Sequence, residues 1–176
     1  RKFPDFKLYE KEEKTTTDLG FLVTAKMLDE KKRELEHITT VEMRNNAKEI
    51  SEAREQGDLK ENAEYKAAKE RENELNKKAS ELNEEIGKAK IVDPSTITTS
   101  CVSFGTVVTL KNLKTGEIEK ITLLGAWESD TEKNILNYRS PKGTQLLGAK
   151  VKDVLNFTIN DHNFSYEVQE IEKADF

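Results

Sequence analysis

Asp58, Glu61 and Glu64 stand three residues apart in the stretch Glu52–Tyr65, which reads EAREQGDLKENAEY. On a helix, residues three apart share a face. Two or three carboxylates would then gather just behind Gly57, with the chemistry of a hard divalent cation. Mg²⁺ takes oxygen ligands, keeps several waters and is commonly held by one or two carboxylates together with other groups. So open a pair of acids binds the ion weakly, and a partner site has to complete the coordination. The chain would then donate catalytic groups in trans. A second explanation needs no ligand. Asp58 followed by Glu61 has the form of a capping box, with Asp58 as N-cap and Glu61 reaching back from N3. Gly57 would supply the chain reversal, and an acidic first turn suits the helix macrodipole. On local physics alone both readings stand.

The surrounding sequence must place these acids. From Thr24 to about Glu55 there is no Gly or Pro, and Glu, Lys and Arg are dense. Thr24 is a plausible N-cap, with Asp29 and Glu30 close behind it. Leu28, Leu35, Ile38, Val41, Ala47, Ile50 and Ala53 form a sparse apolar seam whose spacing is irregular around Asn45-Asn46. After Gly57 a second charged run extends from Asp58 to Lys90. Its residues Leu75, Ala79, Leu82, Ile86 and Ala89 step four, three, four, three, which is a heptad seam. A helix of ~30 residues is about 45 Å long at 1.5 Å per residue. Two such helices joined by a short turn must run antiparallel. The predicted element is a hairpin over residues 18–92, preceded by a leader or linker over 1–17.

This hairpin explains the composition. Charged residues make up 36% of the 176, hydrophobic ones only 35%, against about 25% and about 45–50% in ordinary globular chains. Each helix buries a narrow stripe and solvates the rest. The net charge of −5 argues against a protein that grips duplex DNA in bulk, which requires clustered positive charge.

At Val92-Asp93-Pro94-Ser95 the helical pattern stops, because Pro94 cannot continue a helix and restricts the residue before it. Residues 93–176 carry most of the aromatics and read as a small β domain. Strands are predicted over Phe104–Lys111, Glu117–Leu124, Ile135–Tyr138, Val154–Ile159 and Phe164–Ile171. Lys114-Thr115-Gly116 and Asn160-Asp161-His162-Asn163 supply the turns, and Pro141–Leu147 one or two helical turns. The expected class is α+β.

No run of about 18 apolar residues exists, so no membrane span is expected. No secretory signal is visible. The single cysteine, Cys101, cannot form an internal disulfide and fits a reducing compartment. Its Thr-Ser-Cys-Val-Ser context reads as packing rather than chemistry. His37 and His162 have no ligand spacing around them. The chain begins at Arg1 rather than Met, as expected of a processed product or a piece of a longer chain.

Three stretches resemble the bacterial GreA/GreB transcript-cleavage factors, more closely the GreA type. They are Glu52–Tyr65 continuing through Lys66-Ala67-Ala68, then Ala89–Asp93 (AKIVD), then Tyr138–Gly143 (YRSPKG) with Leu147–Asp153 (LGAKVKD). The likeness extends over roughly residues 20–172. It implies an N-terminal antiparallel coiled coil and a C-terminal FKBP-like antiparallel β domain. It also implies that the C-terminal domain docks at the rim of the secondary channel of bacterial RNA polymerase while the coiled coil enters the channel. The tip acids, which fall on Asp58 and Glu61, would help hold a Mg²⁺ ion shared with the polymerase and orient the attacking water. The polymerase then hydrolyses the backtracked RNA at its 3′ end, so the chain is not itself an enzyme.

The resemblance places polymerase docking on Asp130, Ser140 and Pro141, although Pro141 equally suits the first position of a helix. Lys66 and Lys69, one turn apart behind the tip, could meet RNA phosphates or simply face solvent. A cytoplasmic monomer is expected. Arg44-Asn45-Asn46 departs from the family, where a proline and branched apolar residues are usual, and this puts the local helix packing in question. Residues 1–17 lie largely before the usual family start. Two rival readings remain. A non-cleaving inhibitor would share the architecture with a different arrangement of tip acids, and the GDLKEN core matches the cleaving type. A prolyl isomerase on the FKBP-like domain would need a deep aromatic pocket, and the aromatics of this half are about as many as a small β core requires.

Overall fold

The computed structural model describes residues 20–57 and 62–176. The leader over 1–17 and the acids Asp58 and Glu61 lie outside the described residues. Contacts divide the chain into a helical unit, Leu28–Ala89, and a β unit made of residues 20–27 and Lys90–Phe176. The sequence pattern instead groups residues 18–27 with the hairpin and puts one boundary near residue 92.

The first long helical segment is built in three pieces: α1 (Ala25–His37), a π-turn over Ile38–Glu42, and α2 (Met43–Glu55). Thr24 caps α1, its Oγ1 accepting from the Met27 N–H at 3.3 Å. Asp29 and Glu30 fall beyond the first turn, and Asp29 instead pairs with Arg33 at 2.7 Å, one turn on. The second helix, α3, spans Ala63–Lys88. Three cross-helix links establish the antiparallel run: Glu34 with Lys78, Asn46 with Ala68, and Asn62 with Ala53. The numbers rise on one helix as they fall on the other.

The seam is thin, as its sequence dictates. Ile38, Leu75 and Leu82 form its central cluster, with Leu35, Met43, Ala79 and Ile86 packed around it. Nearer the tip, Ile50, Ala53 and Ala68 are buried. Two sequence expectations are corrected here. Val41 is 42% exposed and Ala47 is exposed, so neither belongs to the seam. The irregularity falls at residues 38–42 and not at Asn45-Asn46. A seam stepping three and four residues from Ile38 would continue at positions 42, 45, 49 and 52. The inward residues are Met43, Asn46, Ile50 and Ala53, each one later. The π-turn holds one residue more than an α-turn, and that residue absorbs the offset. Thr39 and Thr40 brace the turn, their hydroxyls donating to the Leu35 and Glu36 carbonyls at 3.0 and 2.7 Å.

In the β unit, β1 (Phe21–Val23) pairs with β2 (Ala89–Ile91). The main sheet comprises β3 (Thr106–Asn112), β4 (Ile118–Leu124), β5 (Ile135–Asn137), β6 (Val154–Ile159) and β7 (His162–Lys173), ordered β5-β4-β3-β7-β6. All pairings are antiparallel except β4 with β5, which is parallel. One short helix, α4 (Pro141–Leu146), packs Leu146 into the core. Val108, Leu110, Leu123 and Val168 at the centre of the sheet are fully buried. The β6–β7 turn is tighter than expected. Ile159 pairs with His162, leaving Asn160 and Asp161, both at positive φ, as a two-residue turn of the kind that matches sheet twist.

Candidate functional site at the hairpin tip and its supports

The tip is framed by residues whose local chemistry is visible on both sides of the acids. α2 ends at Glu55, and Gly57 then adopts φ +122°, a backbone region that favours glycine. On the far side, Asn62 is the N-cap of α3. Its Oδ1 accepts from the Tyr65 N–H at 3.1 Å. α3 thus begins at Ala63 with Asn62 as its cap, and the capping box read at Asp58 and Glu61 lies outside the described residues. Glu64 sits in the first turn, where the macrodipole favours an acid.

Asn62 also reaches across the hairpin. Its Nδ2 donates to the main-chain oxygen of Ala53 at 2.7 Å. At the same level the Arg54 guanidinium lies over the Tyr65 ring, 5.8 Å from its centroid. Further back, Asn46, 2% exposed, donates to the Ala68 carbonyl at 2.9 Å. Neither asparagine, nor the Arg54–Tyr65 pair, is marked as a functional candidate by the sequence. An Asn within a run of charge reads as a break in a seam, and its partner is a backbone atom that sequence does not mark.

The two lysines separate. Lys69 is engaged by Glu72 on its own helix, whereas Lys66 is exposed. Among the described residues, no group of three or more His, Cys, Asp or Glu side chains could hold a metal ion. Asp58 and Glu61 lie outside the residues so described, and both are carboxylates. Carboxylate oxygens are the donors that Mg²⁺ prefers, so the donor set fits.

The docking candidates lie at the two ends of β5. Asp130 exchanges both main-chain hydrogen bonds with Ile135, each 2.9 Å. Its carboxylate accepts from the Glu132 N–H at 3.0 Å and pairs with Lys133 at 3.6 Å. At the other end, the Ser140 N–H donates to Asn137 O at 2.9 Å. Ser140 Oγ caps α4 by accepting from the Gly143 N–H at 3.0 Å, with Pro141 opening the helix. All three residues thus have local structural roles.

Neighbouring side chains hold the strand that leads into α1. The Leu22 N–H donates to the Tyr138 hydroxyl at 3.0 Å, and Arg139 donates to the Gly20 carbonyl. Glu128 Oε1 receives both the N–H and the hydroxyl of Thr24, at 2.8 and 3.0 Å. Phe21 meets Trp127 edge-on, with ring centroids 5.1 Å apart.

Residues 21–91 match the N-terminal model of the GreA/GreB transcription elongation factors, and residues 97–173 match the C-terminal one. The chain belongs to the GreA/GreB family. Transcription elongation factor GreA of Treponema pallidum is 47% identical over 156 residues, covering 89% of this chain and 96% of that protein. GreA of Borreliella burgdorferi is 45% identical over 159 residues, covering 90% of this chain and 18% of that longer protein. A solved structure, the GreA factor homolog 1 protein of Thermus thermophilus, is 21% identical, covers 87% of this chain and 99% of its own, and has a TM-score of 0.40. Membership in the GreA/GreB family makes the chain a transcription elongation factor that works with RNA polymerase rather than an enzyme in its own right. The N-terminal match runs from β1 to β2 and so takes in both helices and the tip between them.

Proposed function

We propose that this chain enters the secondary channel of bacterial RNA polymerase and stimulates the polymerase's own hydrolysis of backtracked RNA. Asp58 and Glu61 supply carboxylates to a Mg²⁺ ion held jointly with the polymerase and orient the attacking water. The observation that carries this reading is the GDLKEN stretch between Gly57 and Asn62, at the adjoining ends of two antiparallel helices, inside a family match covering the whole hairpin. When bound, Mg²⁺ stabilises the attacking and leaving oxygens and lowers the pKa of a bound water.

The remaining residues have supporting parts. The long charged helices carry the tip, and their narrow seam keeps the pair slender. Lys66, exposed behind the tip, meets RNA phosphate. Lys69, already engaged by Glu72, contributes less there. Asp130, Ser140 and Pro141 dock the β unit on the polymerase. The chain acts as a monomer, in the cytoplasm, where the polymerase and the RNA 3′ end are.

The test uses stalled, backtracked bacterial elongation complexes supplied with Mg²⁺. The protein should stimulate release of short 3′ RNA fragments. Asp58→Asn and Glu61→Gln should lose the stimulation yet still compete with the parent protein for polymerase. Failure of the unmodified protein to stimulate any cognate polymerase would sink the reading.

A further inference from the structure

We propose that Asn62 is a positioning residue for the tip acids, tying the end of α2 to the start of α3 through a single side-chain amide. The proposal rests on the reading that Asp58 and Glu61 act at the polymerase active site, and it adds what holds them in place.

Residue type carries the argument. For capping alone, Asp, Ser and Asn serve about equally well. Only an amide side chain offers an sp² acceptor and separate N–H donors pointing in two directions. Here both ends are used: Oδ1 accepts from Tyr65 N at 3.1 Å and Nδ2 donates to Ala53 O at 2.7 Å. The Ala53 carbonyl is one of the last four of α2, which lack ordinary helical partners. Ala53 is only 3% exposed, so an unmet carbonyl there would cost free energy. One side chain thus satisfies an orphan donor of α3 and an orphan acceptor of α2.

The tie also closes a small circuit. Tyr65, whose N–H Asn62 caps, lies under the guanidinium of Arg54, the neighbour of Ala53. The chain segment carrying the acids therefore leaves and re-enters a frame crossed by two links. A catalytic group misplaced by about 1 Å can lose ~10²-fold in rate, so a fixed frame is worth more to function than to stability.

The test separates capping from tying. Asn62→Ser retains a cap acceptor but is too short to reach Ala53; Asn62→Ala loses both bonds. In the free chain, amide exchange at Gln56 and Gly57 should quicken in Asn62→Ser and the thermal midpoint should fall, because the Ala53 carbonyl is left unmet, while helicity at 25 °C holds. In the backtracked complex, cleavage at saturating Asn62→Ser should fall about tenfold or more, with the concentration for half-maximal competition for polymerase unchanged. Asn62→Ala should add a loss of helicity.

Parental cleavage by Asn62→Ser at saturation would overturn the proposal, as would a loss fully accounted for by reduced helicity. If the parent protein stimulates no cleavage, the proposed function falls and Asn62's part in it falls too. Exchange in the free chain still decides separately whether the tie exists.

Discussion

Asn46 on α2 donates its side-chain amide to the main-chain oxygen of Ala68 on α3 at 2.9 Å, at a position only 2% exposed. With Asn62 and Ala53 it makes a pair of opposite sense, each helix sending one amide to an alanine carbonyl of the other. A polar group buried in a seam costs stability unless bonded, and a single buried Asn is a well-attested device for fixing helix register. The small alanines let the backbones approach closely enough for the amides to reach.

Asn46→Ala should therefore destabilise the hairpin by about 1–2 kcal/mol. Asn46→Asp should cost more, because it turns a carboxylate towards a carbonyl in a dry seam. Urea unfolding followed by helicity at neutral pH checks both. An Asp variant as stable as the parent would show that the amide bond is not what the position uses.

The π-turn makes a second prediction about register. Deleting Thr40 removes the extra residue, and a continuous α-helix would then bring Ile38, Asn46, Ile50 and Ala53 onto one seam. The deletion should keep full helicity. Inserting one Ala after Thr40 has the opposite effect. It turns α2 by about 100° and swings Asn46 and Ile50 outward, so helicity should collapse. Circular dichroism on the two variants separates a one-residue phase correction from a turn that merely tolerates disruption, since the latter predicts equal effects.

How much was readable beforehand follows the range of each interaction. The heptad on α3 and the strand pattern from Thr106 onward are local signals, and their elements appear within a few residues of expectation. The cap at Asn62 is not legible in the sequence, because Asp58 and Glu61 offer a capping box that also obeys every local rule. The second partner of Asn62 is the Ala53 carbonyl, nine residues back on the other helix. Strand β1 was invisible because three residues carry no period. Its hold comes from Tyr138, Glu128 and Arg139, more than 100 positions away. Of the candidate site, Asp58 and Glu61 rest on sequence alone, while the contacts of Asn62, Ala53 and Tyr65 on either side of them are made across the hairpin and leave no local sequence signal.

Glu34 makes a prediction about pH. Its Oε1 lies 3.1 Å from Lys78 across the hairpin and its Oε2 3.3 Å from Lys31. The Lys78 hydrogen bond, aided by Lys31, holds the carboxyl below the usual glutamate range against a partial opposing effect of burial. A carboxylate with a depressed folded-state pKa contributes stability that is present above its unfolded value, about 4.3, and lost as pH falls through the folded value. The pair is solvent-accessible, so Glu34→Gln should cost no more than about 0.5 kcal/mol at neutral pH. The difference should shrink towards zero in strong acid, and at about 1 M salt, where screening is short-ranged. Urea midpoints across that range check the sign: a difference that grows on acidification would refute it.

Ser140 and Gly143 make the last prediction, which separates folding from docking. Ser140 Oγ accepts from the Gly143 N–H at 3.0 Å, and a Cβ on Gly143 would run into the Asn137 carbonyl oxygen. That oxygen is backbone and cannot swing aside, so Gly143→Ala must displace the start of α4 and should destabilise the β unit more than Ser140→Ala. The latter removes a cap and should cost about 1 kcal/mol. Asp caps as well as Ser does, so Ser140→Asp should restore the thermal midpoint. It also replaces a hydroxyl that can still donate outward with a charged group. If Ser140 meets the polymerase, Ser140→Asp will be as stable as the parent and yet compete less well for elongation complexes. If its part ends at the cap, competition will return together with stability.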